Sequence, residues 1–403
     1  MKKIYYGKAV YDYKEIKAVT KVLKEQPLQL IDGKNVKKLE KKICKLFGKK
    51  YGLMVNSGSS ANLLAISSLN LKNGSEVITP NLTFSTTVAP IFQLGLVPHF
   101  FGVEKNKFVA DVNQIEKCIN PKTKAIMIPN LLGNIADWKK ISLIAKKYKL
   151  YVIEDSADTI GYTINSKNTG NFSDIVTNSF YASHIINGAG TGGMVCFNNY
   201  KFYQKAKLLR GWGRSSATFD ESENIKKRFS IKISGIDYDA KYIFSDAGYN
   251  FLPSEISAAF ALEQLKKLKK NLKKRNVNFE LLKNFFSKLS KYFKLPEQYK
   301  GVKTAWLAFP LVIKKNSKFS RKDLQIYLEK NNIQTRTIFT GNILKQPIVK
   351  NRKYKKLKNS EKNSNDVMKN GILIGCHQGM RIEEINYIFK TFNKFLNKLV
   401  KLV

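Results

Sequence analysis

The chain has 403 residues, of which 71 are Lys or Arg and 30 are Asp or Glu, so its formal net charge is +41. A chain of this length can bury a sizeable core and usually folds as two or more units. Hydrophobic residues make up 43% and aromatic residues 12%, which excludes a wholly disordered chain. The 10 prolines and 24 glycines are too few for a collagen-like or low-complexity protein.

The sequence carries the features of a cytoplasmic protein. No apolar run approaches the ~20 residues that span a bilayer, and the lysines near the start precede no apolar signal segment. Cys44, Cys118, Cys196 and Cys376 are scattered and form no CxxC pair, which argues against a disulfide scaffold, a zinc site or an iron–sulfur site. We therefore expect a reducing compartment, no membrane partner and no metal.

The positive charge has two interpretations. A surface of this charge attracts nucleic acid, anionic membranes or phosphorylated substrates. A Lys-rich composition spread over solvated helix faces gives the same net charge without a functional role. The lysines are distributed along the chain and form no separate basic arm. We expect a phosphorylated small molecule, and no nucleic acid, as the anionic partner.

In the first half of the chain, short apolar runs alternate with amphipathic stretches. Strands are predicted at 51–56, 76–80, 96–103, 123–130 and 150–155, and helices at 59–69, 84–95 and 138–149. This alternation predicts an α/β fold with a largely parallel sheet that is covered by helices. Ligands of such sheets bind beyond the carboxyl ends of the strands.

The second half predicts a different organisation. Two strand-like runs at 174–182 and 192–197 precede a helix at 200–211, an irregular polar candidate substrate loop at 214–247, a helical pattern from Pro253 to Lys288, a strand at 309–315, a helix at 321–331 and a closing helix from Ile382. We predict a large domain over residues 1–265 and a smaller α+β domain over residues 266–403.

Four segments combine polar residues with strand ends, namely NSGSSANL (56–63), VIEDSAD (152–158), NSFYASHIINGAGTGGMV (178–195) and SDAGYNFLPSE (245–255). In the first, free amides at a helix start can hold a phosphate, and Gly58 allows close approach, although Ser and Gly also make ordinary caps. In the second, Glu154, Asp155 and Asp158 end a buried strand. A carboxylate there needs a cationic partner, such as a protonated ring nitrogen, unless it caps a helix or turn.

The third segment places Ser179 and His184 between a strand end and a Gly-rich bend. A lone histidine is more often structural than catalytic, but a position beside a flexible turn at a strand end favours a functional role. His99 and His377 are the other two histidines; His99 is expected to be structural.

In this order, the four segments resemble the DegT/DnrJ/EryC1/StrS family of sugar aminotransferases, which are fold-type-I pyridoxal phosphate enzymes. The resemblance extends nearly end to end, from GKAVYDYKEIKAVTKVL (7–23) to DAGYNFLPSEISAAFALEQL (246–265). It implies an aspartate-aminotransferase-like large domain and a homodimer with the active site at the interface. It also implies the residues that hold the cofactor, pyridoxal or pyridoxamine 5'-phosphate: Gly58, Ser59, Ser60, Ser179 and Asn250 of the partner subunit at the phosphate, Phe84 on the ring face, Asp155 at the ring nitrogen and Asp158 near the ring hydroxyl.

One departure from the family pattern changes the expected chemistry. The family's Lys, which forms the internal Schiff base, is replaced here by His184 in SFYASH. The same exchange characterises the nucleotide-hexulose 3-dehydratases, which the strings at 86–98, 131–137, 208–214 and 335–347 also resemble. The resemblance implies that His184 and Asp155 are catalytic, that glutamate recharges the cofactor, and that the substrate is a nucleotide-linked 4-keto-6-deoxyhexose.

Two dehydratase types and two rival functions remain. The type that acts on a CDP-hexulose uses an iron–sulfur cluster whose cysteines lie near the loop after GWGR, but residues 212–240 contain no cysteine. This favours the cluster-free type that acts on GDP-4-keto-6-deoxymannose. The rivals are an aminotransferase that tolerates histidine and a catalytically silent nucleotide-binding regulator. Candidate substrate residues are Arg210, Arg214, Arg336 and His377, since Arg forks suit diphosphates and carboxylates.

Overall fold

The computed structural model describes residues 2–25, 29–218 and 224–400. Its helices are α1 (Tyr13–Glu25), α2 (Lys34–Phe47), α3 (Gly58–Ser67), α4 (Ser85–Gln93), α5 (Trp138–Tyr148), α6 (Tyr200–Arg210), α7 (Ile225–Arg228), α8 (Glu255–Lys266), α9 (Leu268–Ser287), α10 (Arg321–Lys330), α11 (Lys362–Asn370) and α12 (Ile382–Val400). Its strands are β1 (Tyr51–Val55), β2 (Glu76–Pro80), β3 (Val97–Phe101), β4 (Thr123–Pro129), β5 (Tyr151–Asp155), β6 (Thr163–Ile164), β7 (Ile175–Ser179), β8 (Gly193–Phe197), β9 (Ile231–Ile233), β10 (Ile236–Tyr238), β11 (Phe293–Lys294), β12 (Val302–Lys303), β13 (Phe309–Ile313), β14 (Lys355–Lys356) and β15 (Gly371–Ile374).

The large sheet has the order β1-β8-β7-β5-β4-β2-β3-β14 within the described residues. Neighbours from β7 to β14 run parallel, whereas β8 is antiparallel to both β1 and β7. The predicted α/β fold with a mainly parallel sheet is confirmed. The strands predicted in the first half of the sequence are all present, with ends that differ by a few residues.

Both faces of this sheet are buried, which explains why its strands read as continuous apolar runs rather than alternating ones. In β4, Ile126 and Ile128 pack in one hydrophobic cluster with residues of α2, α5 and α8. Ala125 and Met127 pack in a second cluster on the opposite face, with residues of α3 and α6. Successive side chains of a strand point to opposite faces, so helices must cover both.

The topology brings several strand ends to one edge of the sheet. Strands β1, β2, β4, β5 and β7 all run in the same direction, so their carboxyl ends lie together. Because β8 runs the opposite way, its first residues reach the same edge. Polar segments that are far apart in the sequence therefore meet there, as the rule for parallel sheets predicts.

A smaller antiparallel sheet with the order β11-β13-β15 lies in the C-terminal part. Its hydrophobic cluster includes Phe286 of α9, Leu324 of α10 and Phe392 of α12. The helical pattern from Pro253 to Lys288 is two helices, α8 and α9, which meet at Lys267. The domain boundary at residue 265 lies close to this junction and stays a prediction.

The polar segment 214–247 contains a β-hairpin that the sequence analysis did not predict. Strands β9 and β10 pair in antiparallel register, and Ser234 and Gly235 between them have φ values of 50° and 83°. Two consecutive residues with positive φ are typical of the type I′ turns that favour hairpins. Residues 219–223 of this segment lie outside the described part. None of the described helices is long and apolar enough to cross a bilayer.

Candidate active site

A cavity of about 370 Å³ lies at the carboxyl edge of the large sheet. Its lining residues are Ser57, Gly58, Ser59, Asn62, Phe84, Thr86, Thr87, Pro129, Leu131, Asp155, Ala157, Asp158, Ser179, Tyr181, His184, Thr191, Gly192 and Phe339. They come from the turns after β1, β2, β4, β5 and β7, from the turn before β8 and from the C-terminal part. Three of the segments singled out in the sequence thus contribute to one site.

The first end of the cavity is the start of α3. The Ser57 side chain caps this helix, because its Oγ accepts a hydrogen bond of 3.1 Å from the Ser60 amide. Gly58 and Ser59 are the first two residues of α3, and Gly58 packs beside Ser179. A Cβ atom at residue 58 would lie 2.6 Å from the Cβ of Ser179, so only glycine permits this close packing. The helix dipole and free amides make this end suitable for an anion.

Ser60 differs from the expectation. Its amide is occupied by the Ser57 cap, and its hydroxyl donates to Asn56 Oδ1 at 2.7 Å. Ser60 is absent from the cavity lining, whereas Ser57, Gly58 and Ser59 are present. Gly58 and Ser59 therefore face the cavity at this end, whereas Ser60 stabilises the start of the helix. Phosphate binding by Gly58, Ser59 and Ser60 stays a prediction.

The second end of the cavity is the Asp155 carboxylate, which stands at the last position of β5. Its Oδ2 accepts hydrogen bonds from Asn62 Nδ2 at 2.9 Å and Thr87 Oγ1 at 2.7 Å, and its Oδ1 accepts one from the Ala157 amide at 3.1 Å. Burial raises the pKa of Asp155, although these three donors oppose the shift. A buried carboxylate of this kind gains most from a cationic partner in the cavity.

His184 and Asp158 lie side by side in the cavity wall. His184 Nδ1 is 3.2 Å from the Ser179 carbonyl oxygen, and its Nε2 is 3.9 Å from Asp158 Oδ1. Burial lowers the pKa of His184 to about 4, and burial raises the pKa of Asp158 to about 7. The imidazole is therefore neutral at neutral pH and can accept a proton.

An aromatic wall closes another side of the cavity. Phe84, predicted to stack on a cofactor ring, is 49% exposed and packs edge-to-face against Phe339 with ring centroids 5.8 Å apart. Phe339 was not among the predicted site residues, although it lies in a string that resembles the dehydratases. Its position depends on the C-terminal part folding back over the sheet edge.

Glu154, the carboxylate next to Asp155, does not line the cavity and is hydrogen-bonded to other side chains of the chain. It is fully buried, and its oxygens accept hydrogen bonds from Asn130 Nδ2 at 2.9 Å, the Tyr162 hydroxyl at 2.5 Å and the Thr169 hydroxyl. Successive residues of a strand face opposite sides, so Glu154 anchors the loop behind the sheet edge while Asp155 faces the cavity.

Two of the predicted substrate residues are held elsewhere. Arg210 is 3% exposed, and its guanidinium binds Asp32 Oδ2 at 2.5 Å, Glu40 Oε1 at 3.4 Å and the Met54 carbonyl at 2.8 Å. It is an interior ion-pair residue in this chain, and its contact with a diphosphate or a glutamate carboxylate stays a prediction. His377 accepts the Gly379 amide at Nδ1 and lies 3.1 Å from the Tyr5 carbonyl at Nε2, so both nitrogens are used.

The remaining predicted residues lie outside the cavity of this chain. The Arg214 guanidinium packs over the rings of Trp212 and Tyr242, 4.5 and 5.5 Å from their centroids. Arg336 lies 5.4 Å from the Tyr6 ring centroid and donates to the Thr335 carbonyl. Asn250 is exposed, beside Gly211. A contribution of Asn250 to the site of a partner subunit, and substrate contacts of Arg214 and Arg336, stay predictions.

Asn62, Thr87 and Tyr181 line the cavity, although the sequence analysis did not name them. Asn62 and Thr87 orient Asp155, and Tyr181 lies edge-on to His184 with ring centroids 5.9 Å apart. Each stands within a few residues of a predicted site residue, which was the available signal. In the described ranges, no group of three or more His, Cys, Asp or Glu residues is arranged to hold a metal ion.

The sequence pattern of the DegT/DnrJ/EryC1/StrS aminotransferase family matches residues 10–393. The chain belongs to this family. Several members are similar over most of its length. The GDP-4-keto-6-deoxy-D-mannose 3-dehydratase of Escherichia coli O55:H7 is 33% identical over 389 residues, which cover 94% of this chain and 97% of that enzyme.

Two further members of the DegT/DnrJ/EryC1/StrS family show the same extent of similarity. The lipopolysaccharide biosynthesis protein RfbH of Salmonella typhimurium is 35% identical over 367 residues, which cover 88% of this chain and 84% of RfbH. A solved GDP-4-keto-6-deoxymannose-3-dehydratase with a trapped PLP-glutamate geminal diamine superposes with a TM-score of 0.84 at 31% identity, covering 96% of this chain and 99% of that one. Similarity of this extent confirms the aspartate-aminotransferase-like fold.

Proposed function

We propose that this protein is a pyridoxal or pyridoxamine phosphate-dependent 3-dehydratase of a nucleotide-linked 4-keto-6-deoxyhexose. The proposed substrate is GDP-4-keto-6-deoxymannose and the proposed amino donor is glutamate, for deoxysugar and surface-polysaccharide synthesis. The observation that carries the proposal is the presence of His184 in the cavity wall; the sequence resemblance implies that the family's aminotransferases have lysine at this place. The dehydratases and the glutamate adduct among the similar proteins support it.

The cavity fits this cofactor in the chemistry of its two ends. The amides of Gly58 and Ser59 at the start of α3 suit the phosphate. The Asp155 carboxylate suits a protonated pyridine nitrogen, and the cation would offset the cost of burying that carboxylate. The exposed face of Phe84 suits a flat aromatic ring between these ends.

The residues of the chain then have separate tasks in the reaction. When bound, the cofactor supplies an amino group that joins the sugar ketone and a ring that accepts an electron pair. Asp155, held in place by Asn62 and Thr87, would keep the ring nitrogen protonated. His184 would accept a proton at Nε2 and return it to the C3 hydroxyl, which would leave as water.

The overall reaction balances with glutamate as the reductant. The sugar exchanges its C3 hydroxyl for hydrogen, while glutamate becomes 2-oxoglutarate and releases its nitrogen as ammonia. No further electron donor is required. This is consistent with the cysteine-free segment 212–240, which was the basis for preferring the cluster-free type.

An aminotransferase of the same family is the alternative reaction. It needs a lysine amine that moves a proton between the cofactor carbon and sugar carbon C4. None of the described residues that line the cavity is a lysine. The imidazole of His184 is shorter and is held by the Ser179 carbonyl, so it reaches C4 poorly. This difference favours dehydration over amino transfer.

The test is product analysis with purified protein, pyridoxal phosphate, glutamate and GDP-4-keto-6-deoxymannose. We expect a sugar nucleotide lighter by one oxygen atom, with equimolar 2-oxoglutarate and ammonia. A stable amino sugar that keeps its C3 hydroxyl would overturn the proposal. A parallel reaction with the CDP-linked hexulose tests the nucleotide, since turnover of that substrate alone would replace the GDP assignment.

A further inference from the structure

The tautomer of His184 follows from its neighbours. Its Nδ1 lies 3.2 Å from the carbonyl oxygen of Ser179, and a carbonyl oxygen can only accept a hydrogen bond. Nδ1 therefore carries the hydrogen of the neutral ring, and Nε2 carries the lone pair. The atom that takes a proton is thus the one that lies 3.9 Å from Asp158 Oδ1.

Asp158 is oriented toward this lone pair by a backbone amide. Its Oδ2 accepts a hydrogen bond of 2.8 Å from the Leu132 amide, which leaves Oδ1 on the side of His184. Leu132 has a φ of 61°, a backbone conformation that residues other than glycine adopt rarely. In this conformation, the turn after β4 directs the Leu132 amide at the Asp158 carboxyl group.

The charged and titratable groups around the pair come from several elements. Asp155 acts on Asp158 from the end of β5, and Arg275 of α9 acts on His184. Tyr6 lies near Asp158, Tyr181 and Arg336, and it extends this set of groups from the N-terminal segment. Burial dominates both shifts, so that the pKa of Asp158 is about 7 and that of His184 about 4. Between these values Asp158 is protonated and the His184 ring is neutral.

We propose that Asp158 is a positioning residue whose ionised carboxylate strengthens His184 Nε2 as a base, so that the two side chains act as one proton-sharing pair. A protonated Asp158 would donate to the Nε2 lone pair and block it. An ionised Asp158 leaves the lone pair free and attracts the proton that arrives there. This inference rests on the proposed function, in which Nε2 is the base.

The pair explains how a histidine with a low pKa can act as a base. Alone in its buried site, His184 would bind a proton weakly near neutral pH. With Asp158 ionised, the imidazolium that forms is balanced by the carboxylate 3.9 Å away. The proton accepted at Nε2 would pass to the leaving hydroxyl, so Asp158 would end each cycle unchanged.

The direct test is a pH titration of the full chain labelled with ¹³C at histidine Cε1. The chain has three histidines, so three imidazole signals are expected, and the His184 signal is assigned by its loss in His184→Gln. We expect the wild-type His184 signal to show a step near pH 7 in addition to its own titration near 4. In Asp158→Asn the step near pH 7 should disappear, and in Asp158→Glu a step should return.

The control variant is Asp237→Asn, which removes an exposed carboxylate in β10 and should leave the step unchanged. In turnover assays, Asp158→Asn should lower kcat about 10- to 100-fold and abolish the rise in kcat through pH 7. A wild-type His184 signal without a step near pH 7 overturns the proposal, as does a step that persists in Asp158→Asn. The wild-type titration tests the proposal even if a variant does not fold. Product identity tests the proposed function separately.

Discussion

The Thr87 hydroxyl donates a hydrogen bond of 2.7 Å to Asp155 Oδ2, although the two residues are 68 positions apart in the chain. Thr87 stands in the first turn of α4, and Asp155 ends β5. Parallel pairing of β2, β4 and β5 brings the two segments to the same sheet edge. The contact fixes the orientation of the carboxylate that faces the ring end of the cavity.

Thr87→Val should weaken cofactor binding. Valine keeps the shape of threonine but removes the donor, so the Asp155 carboxylate loses one of three hydrogen bonds and its pKa rises further. We expect an affinity for pyridoxal phosphate about tenfold lower, since a hydrogen bond to a charged group contributes about 1.5–3 kcal/mol. Titration of the absorbance of the bound cofactor measures it.

The matched control is Thr391→Val in α12, where the buried hydroxyl donates to the Tyr387 carbonyl and neither residue lines the cavity. This variant should bind the cofactor as the wild type does. Equal affinities of all three proteins would contradict the role given to Thr87.

His184→Lys should abolish dehydration and create a covalent bond between residue 184 and pyridoxal phosphate. A lysine there restores the amine that the family's aminotransferases use, in a cavity that otherwise has the features of the cofactor site. Borohydride reduction followed by peptide mass analysis should find the cofactor on residue 184. His184→Asn serves as the control, because it removes the base without supplying an amine.

A folded His184→Lys protein that binds the cofactor but leaves residue 184 unmodified would count strongly against this placement of His184. Retained dehydration in His184→Asn would show that another group is the base.

Turnover should require neither iron nor a reductase. The four cysteines are all buried, and the predicted loop that could carry a cluster contains none of them. Protein purified without oxygen should contain no stoichiometric iron or acid-labile sulfide, and glutamate with catalytic cofactor should sustain turnover. An absolute requirement for NADH and a partner protein would make this prediction wrong.

His377 should make stability fall in mild acid. Burial, with the charge of Arg275, lowers the pKa of folded His377 to about 3, below the value of 6.5 for an ordinary histidine. The unfolded chain therefore takes up the proton first, so this contribution to stability is complete above pH 6.5 and is lost as the pH falls toward 3. Between pH 7.5 and 5.5 the unfolding free energy should fall by about 1.4 kcal/mol for this reason.

Urea unfolding at these two pH values measures the difference. In His377→Gln, the loss of unfolding free energy between pH 7.5 and 5.5 should be smaller than in the wild type by about 1.4 kcal/mol. The variant should also be less stable at pH 7.5, because the Tyr5 and Gly379 contacts weaken. An identical pH dependence would mean that His377 titrates normally in the folded protein.

The sequence by itself determined the fold class, the strands in the first half of the chain and three of the segments that form the cavity. The apolar runs of β4 and β5 are long enough to show strands buried on both faces, and the rule for parallel sheets places Asp155 at the correct edge. His184 and Gly58 were also identified there, because strand ends and helix starts are local features of the sequence.

The tertiary structure alone decided which polar side chains share a site. Arg210 and Asp155 both lie at ends of regular elements, but Arg210 is buried against Asp32 and Glu40, whereas Asp155 faces the cavity. Phe339 reaches the cavity from the C-terminal part. Such contacts depend on chain topology and on the packing of side chains distant in sequence, and local hydrophobic patterns carry no information about them. The sequence therefore predicts where a site forms, and the packing decides its members.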